Sequence, residues 1–124
     1  MALKVRVTET RSFARTVHLE GRLDGETVAV LDGELDKVAN SPASVVVFDL
    51  GDLEYISSAG LRSIFRTQKL MAGRGGRAVL ANARPQVQKV FEIVKAADLG
   101  AVFSSIQELD QYLDTMQRKV IDGE

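Results

Sequence analysis

The sequence predicts an α/β domain whose elements follow one another in the order ββαβαβαβα. Residues 3–8 and 13–20 each alternate apolar with polar side chains, which is typical of half-buried strands. From residue 28 onward, segments with the apolar period of a helix alternate with short apolar segments of strand length. This alternation after a hairpin indicates a mixed sheet whose later strands are parallel. We therefore expect about four or five strands and about four or five helices.

The N-terminal third contains the predicted hairpin and the first helix. Residues 3–8 and 13–20 are close enough in sequence to pair as antiparallel strands. In the segment that follows, Asp24 is predicted to be the N-cap of the first helix, and Glu26 would lie in the first helical turn near the positive end of the dipole. The helix itself is predicted from the period of four apolar residues: Val28, Leu31, Leu35 and Val38.

The chain is organised around residues 45–70. Residues 45–48 form a continuous apolar run rich in β-branched side chains, which favours a strand buried on both faces. Asp49 and Asp52 are expected to end this strand in a turn. A short exposed loop with Ser57 and Ser58 then leads into an amphipathic helix. The apolar face of that helix is expected to contain Leu61, Ile64, Phe65 and Ala72.

The remaining elements are shorter. A glycine-rich turn leads to a strand at 77–81, and Pro85 suits the first turn of the next helix. Residues 102–103 predict a short strand. Ser105 and Glu108 have the spacing of a capping box at the start of the terminal helix.

Composition excludes several classes of function. The formal net charge is −1, so no field of the whole molecule favours nucleic acid or an acidic membrane. There is no Cys and only one His, His18, which excludes disulfides, thiol catalysis and a His-rich metal site. No nucleophile and base can be paired from the sequence, so we expect neither an enzyme nor a cofactor. His18 is expected to lie at the surface or at a sheet edge.

The sequence also predicts the setting of the domain. No segment approaches the ~18 apolar residues of a membrane span, and the N-terminus lacks the apolar core of a signal peptide. We therefore expect a cytoplasmic protein. One domain is expected over residues 1–117, followed by a polar, fraying tail over 118–124.

Two interpretations of Ser57 and Ser58 remain open from the residues alone. A hydroxyl at the start of a helix can cap the helix. It can also be a phosphorylation site, because a phosphate there would meet free N–H groups and the positive end of the dipole. Arg62 follows Ser58 by one turn and would lie beside such a phosphate. On this basis Ser58 is the preferred phosphosite and Ser57 the alternative.

The central stretch resembles the signature of STAS domains, in particular the stand-alone bacterial anti-sigma factor antagonists. That signature has a buried strand, Asp-Leu, an aromatic residue and then Asp-Ser-Ser-Gly-Leu. The matching positions here are Phe48, Asp49, Leu50, Leu53, Tyr55, Ile56, Ser57, Ser58, Ala59, Gly60 and Leu61. A second family pattern, Gly-x-Leu-Asp-x-x-Thr, matches Gly21, Leu23, Asp24 and Thr27. The sequence departs from the signature at the phosphoacceptor, which is Ala59 here, and Ser57 replaces the family's Asp.

The resemblance implies a STAS-like fold and a partner-switching function. The partners would be an anti-sigma factor with serine kinase activity and a PP2C-type phosphatase, with no direct contact to nucleic acid and no membrane insertion. Unphosphorylated protein would bind the anti-sigma factor, and serine phosphorylation would break the complex. The alternative is a constitutive STAS subunit that binds a regulator or a transport complex without being phosphorylated. A monomer or weak dimer is expected, with a binding surface of Asp24, Ser57, Ser58, Ala59, Gly60 and Arg62.

Overall fold

The computed structural model describes residues 2–96 and 105–123. Within these ranges, four strands and four helices form one α/β domain, as the sequence predicts. In chain order the elements are β1 (Leu3–Arg11), β2 (Ala14–Leu23), α1 (Val28–Ala39), β3 (Val45–Ile56), α2 (Ser58–Gly73), β4 (Arg77–Ala81), α3 (Pro85–Ala96) and α4 (Ile106–Ile121).

The four strands form one mixed sheet in the order β1-β2-β3-β4. The first two strands pair antiparallel, with Val7 opposite Val17, and this confirms the predicted hairpin. The pairs β2–β3 and β3–β4 are parallel, because a helix crosses over between the strands of each pair. The strand expected at residues 102–103 lies outside the described residues.

Strand β3 is longer than predicted. It runs through residues 49–52, so the prediction of a turn at Asp49 and Asp52 is wrong. The β2–β3 ladder continues past these residues, with two register shifts, to the pair Leu23 and Ile56. Pairing with β2 overrides the local turn preference. As a result, β2 and β3 end together at one edge of the sheet.

The core lies between the sheet and the helices. Leu61 and Ile64 of α2 are buried in it, as predicted, but Phe65 is 37% exposed and Ala72 is exposed, so the predicted helix face is wrong at these two positions. The buried face instead includes Ser63 and Thr67, whose hydroxyls both donate hydrogen bonds. Hydropathy alone does not identify such a face, because paired polar side chains can be buried at little cost.

The terminal helix α4 begins at a side-chain cap. The Ser105 hydroxyl accepts a hydrogen bond from the Glu108 N–H over 3.1 Å, which confirms the predicted cap. The helix continues to Ile121, through the first part of the segment 118–124 expected to be a tail.

In the ranges 2–96 and 105–123, no helix combines the length and the apolar character needed to cross a membrane.

Candidate functional site

The N-terminal end of α2 lies where the parallel strands β2 and β3 end. The Ser57 N–H donates a hydrogen bond to the Leu23 carbonyl over 2.9 Å, which joins the start of α2 to the end of β2. The helix begins at Ser58, as predicted. Asp24 follows Leu23 directly, so the topology alone brings the Asp24 loop and the two serines to one edge of the sheet.

Gly60 allows α2 to approach β2 closely. A Cβ at this position would lie 2.6 Å from the Leu23 Cγ and 3.0 Å from the Ile56 Cγ1. Leu23 and Ile56 are both completely buried, and close packing of the core restricts any movement away from such a Cβ. Gly60 therefore has a packing role in the site, independent of any partner.

Ser57 and Ser58 are not in an exposed loop, and that prediction is wrong. Their exposed fractions are 4% and 8%, because the first turn of α2 packs against the strand ends and α4. Neither hydroxyl oxygen has a hydrogen-bond partner among the described residues, and Ser57 stands at the N-cap without a side-chain cap bond. A buried hydroxyl without a partner costs about 1–3 kcal/mol. Ala59, between them and Gly60, is half-buried.

Helix α4 contributes two side chains that the sequence did not indicate. The Ser58 N–H donates to the Asp110 Oδ1 over 2.9 Å, which places a carboxylate at the positive end of α2. Gln117, completely buried, accepts from the Ile56 N–H over 3.0 Å and donates to the Ile56 carbonyl over 2.8 Å. These contacts join residues 52 and 61 positions apart, so no local sequence signal could have found them.

Asp24 is not the N-cap of α1. The helix begins at Val28 after Thr27 at the N-cap, so Glu26 also lies before the first turn. The Asp24 Oδ1 instead accepts from the N–H groups of Glu26, over 3.0 Å, and Thr27, over 3.1 Å. The Thr27 hydroxyl donates to the Arg22 carbonyl over 2.8 Å. The loop is therefore a tightly bonded turn that presents a half-buried carboxylate.

Four of the six predicted binding residues line two different depressions, whereas Ala59 and Gly60 line neither. The first is a cleft of about 450 Å³ that contains Asp24 and Ser57. Its wall includes the Arg22 guanidinium, stacked 3.9 Å from the centre of the Tyr55 ring. Burial raises the pKa of the Tyr55 hydroxyl, as does the nearby Asp114 carboxylate. The full lining is Arg22, Asp24, Gly25, Glu26, Tyr55, Ser57 and Asp110.

The second depression is a groove of about 490 Å³ that contains Ser58 and Arg62. It follows the exposed side of α2 towards α3 and α4. We call it the α2 groove, and its lining is Ser58, Leu61, Arg62, Phe65, Arg66, Lys69, Val94 and Leu109. The structure thus places Asp24 with Ser57 on one face of this region, and Ser58 with Arg62 on another.

A separate polar pair lies within the sheet. His18 is on the inner strand β2 and not at a sheet edge, but 28% of its side chain is exposed. Its Nδ1 lies 3.0 Å from the Asp49 Oδ2. The pKa of Asp49 is held below its usual value, mainly because its carboxylate accepts the Gly51 N–H, with further hydrogen bonds to Asn82 and His18. Among residues 2–96 and 105–123, no group of three His, Cys, Asp or Glu could hold a metal ion.

Residues 4–109 match the STAS domain family, and the chain therefore belongs to that family. The chain is 39% identical over 75 residues to BtrV of Bordetella bronchiseptica, a protein named as an anti-sigma factor antagonist. That match covers 60% of this chain, and the chain spans 65% of the length of BtrV.

Solved structures show the same fold. The unphosphorylated form of the anti-sigma factor antagonist SpoIIAA has a TM-score of 0.68 at 18% identity, over 74% of this chain and 81% of SpoIIAA. The phosphorylated form of this Bacillus protein has a TM-score of 0.63 at 17% identity, over 73% and 83% of the two chains. At this identity the likeness establishes the fold alone.

Proposed function

We propose that this chain is an anti-sigma factor antagonist that binds an anti-sigma factor and catalyses no reaction. The observation that supports this most strongly is the convergence of the Asp24 turn and the first turn of α2 at one edge of the sheet. Family membership and the similarity to BtrV point to the same class. The binding surface is formed by Asp24, Ser57, Ser58, Ala59, Gly60 and Arg62.

The site is built for binding rather than for chemistry. Asp24 is held by two backbone N–H groups, and the start of α2 is hydrogen-bonded to the end of β2 and to α4. Such pre-organisation lowers the entropic cost of association with a partner. Asp24 and Arg62 supply charges of opposite sign at the two sides of the surface, which favours one orientation of the partner.

In one form of the proposed function, phosphorylation of Ser58 switches the binding of the anti-sigma factor. A phosphate on Ser58 would compete with the Asp110 carboxylate for the same N–H group, since both are anions at the positive end of α2. The first turn would have to separate from α4 before a kinase could reach the buried hydroxyl. Phosphorylation would then change the docking surface itself and weaken binding of the anti-sigma factor.

Constitutive binding is the second form, and the burial of both hydroxyls favours it. The hydroxyl oxygens of Ser57 and Ser58 are buried, whereas the half-buried residue beside them, Ala59, has no hydroxyl. In this form the chain binds its regulator without being phosphorylated.

Calorimetric titration of the full chain with anti-sigma factors encoded in the same genome tests the binding function. Asp24→Asn retains the shape of the side chain but removes its charge, and we expect at least about a tenfold loss of affinity, equal to ~1.4 kcal/mol. Asp36→Asn, on an exposed part of α1, is the matched control and should bind normally. Failure of every anti-sigma factor to bind the unchanged chain would exclude this function.

Incubation with the binding kinase and ATP, followed by phosphopeptide mapping, separates the two forms. Phosphate on Ser58, lost in Ser58→Ala and retained in Ser57→Ala, would support the switch. Tight binding with no phosphate on either serine would support constitutive binding.

A further inference from the structure

The α2 groove combines an apolar floor with a positively charged rim. Its apolar lining comes from three helices, with Leu61 and Phe65 on α2, Val94 on α3 and Leu109 on α4. Among the described residues that line it, none carries a carboxylate. The positive charge of the groove contrasts with the whole chain, which carries a formal net charge of −1.

The cations on the rim form a stripe along α2. Arg62, Arg66 and Lys69 follow one another at intervals of four and three residues, so they share one side of the helix over about 10 Å. Arg66 donates to the Asp32 carboxylate over 2.9 Å. Arg62 and Lys69 form no ion pair with any residue in the described part of the chain. Two positive charges are therefore available to a partner.

Phe65 gives the groove an aromatic contact surface. Its ring meets Phe91 of α3 edge to face, with 6.2 Å between the ring centres, and 37% of the residue remains exposed. This packing holds the ring in place while leaving part of it accessible. Fixed, partly exposed aromatic side chains are frequent anchors at protein interfaces.

We propose that the α2 groove binds an acidic amphipathic helix of a protein partner. Its apolar side chains would pack on Leu61, Phe65 and Val94, and a row of Asp or Glu beside them would face Arg62 and Lys69. The contact surface from Leu61 to Lys69 is about 12 Å long, which suits a partner helix of two to three turns. A lipid surface fits less well, because a concave groove cannot insert its apolar residues into a bilayer.

This inference deepens the proposed function, and it rests on that function only for the identity of the partner. Its chemistry can be tested without an anti-sigma factor. The probe is a synthetic helical peptide with Leu at intervals of three and four residues and Glu along one flank. The control peptide has Lys in place of each Glu.

Titration of the isotope-labelled full chain, followed by NMR, is the direct test. We expect the acidic peptide to shift the amide signals of Leu61, Phe65, Val94 and Leu109, with at least about tenfold tighter binding than the basic peptide. The double variant Arg62→Glu/Lys69→Glu should reverse this preference. Arg77→Glu, an exposed cation on β4 outside the groove, is the matched control and should leave it unchanged.

Several outcomes would overturn the inference. These are equal binding of both peptides, shifts confined to other surfaces, shifts caused only by anionic vesicles, or groove signals that depend on protein concentration through self-association. Acidic-peptide binding in the groove, combined with no binding of any anti-sigma factor, would retain this inference and reject the proposed function. Binding of an anti-sigma factor, combined with no binding of the acidic peptide in the groove, would reject this inference alone.

Discussion

The turns that follow β2 and β3 lie side by side, yet they are stabilised in opposite ways. In the first turn, the Asp24 carboxylate and the Thr27 hydroxyl bond to backbone groups within five residues. In the second, the Ser57 and Ser58 side chains make no hydrogen bond within residues 2–96 and 105–123, and the Ser58 N–H donates to Asp110 of the distant helix α4. The first turn therefore depends on its own sequence, whereas the second depends on the docking of α4.

Removing Gln117 tests the dependence on α4 most severely. Gln117→Ala leaves the N–H and carbonyl of Ile56 without partners in the core and opens a cavity, so we expect unfolding to become easier by about 2–4 kcal/mol. Urea unfolding measures this change. Gln111→Ala, at an exposed position of the same helix, should alter stability by less than about 0.5 kcal/mol.

The tight contact between α2 and β2 predicts a second, smaller effect. Gly60→Ala would force its new methyl group against Leu23, and we expect a loss of about 1–3 kcal/mol. Gly33→Ala in α1 meets no atom within 4 Å and should instead stabilise the chain by about 0.5–1 kcal/mol. Thermal unfolding of the two variants should show shifts of opposite sign, and equal shifts would contradict this packing role.

The turn after β2, which contains Asp24 and Thr27, should become less stable when the Thr27 hydroxyl is removed. Thr27→Val retains the shape of the side chain but leaves the Arg22 carbonyl and the Asp24 N–H without this partner. We expect a cost of about 1–2 kcal/mol in urea unfolding. Thr115→Val, at an exposed site on α4, controls for the replacement of a hydroxyl by a methyl group and should lower the free energy of unfolding far less. An equal cost at both sites would show that the hydroxyl does not hold the turn.

The charge of Asp110 should have a modest effect. Asp110→Asn retains an oxygen that can accept the Ser58 N–H but loses the attraction of a carboxylate to the end of α2. We expect a loss of about 0.3–1 kcal/mol, which salt should reduce. Asp114→Asn, whose carboxylate pairs with Arg118 on the surface, is the control. A salt-independent loss would contradict the helix-dipole explanation.

Local patterns predicted those parts of the fold that local physics controls. The strand at residues 45–48, the start of α2 and the Ser105 cap follow from apolar runs and capping residues, and all three are present. The wrong predictions share a different cause. Residues 49–52 extend because β2 pairs with them, and Phe65 lies outward because the paired hydroxyls of Ser63 and Thr67 occupy the buried face.

The candidate site could be located from the sequence but not described. Its family patterns identified Asp24 and residues 57–61, the helical period added Arg62, and the structure places the Asp24 turn beside the start of α2. The burial of the serines could not be predicted, because it depends on the docking of α4, whose Asp110 and Gln117 bond to Ser58 and Ile56 from 52 and 61 residues away. Contacts of that range carry no periodic or local signal in one sequence.

The most direct test of the contrast between the two turns is the stability of Ser57→Ala and Ser58→Ala in urea. Because neither hydroxyl has a partner in the part of the chain that the structure describes, removing it deletes an unsatisfied buried group, and we expect stability to remain within about 0.5 kcal/mol or to rise. Thr27→Val, measured in parallel, should be clearly destabilised. A loss of more than about 1 kcal/mol in either serine variant would show that its hydroxyl is bonded in the folded protein, and would contradict the account of this site.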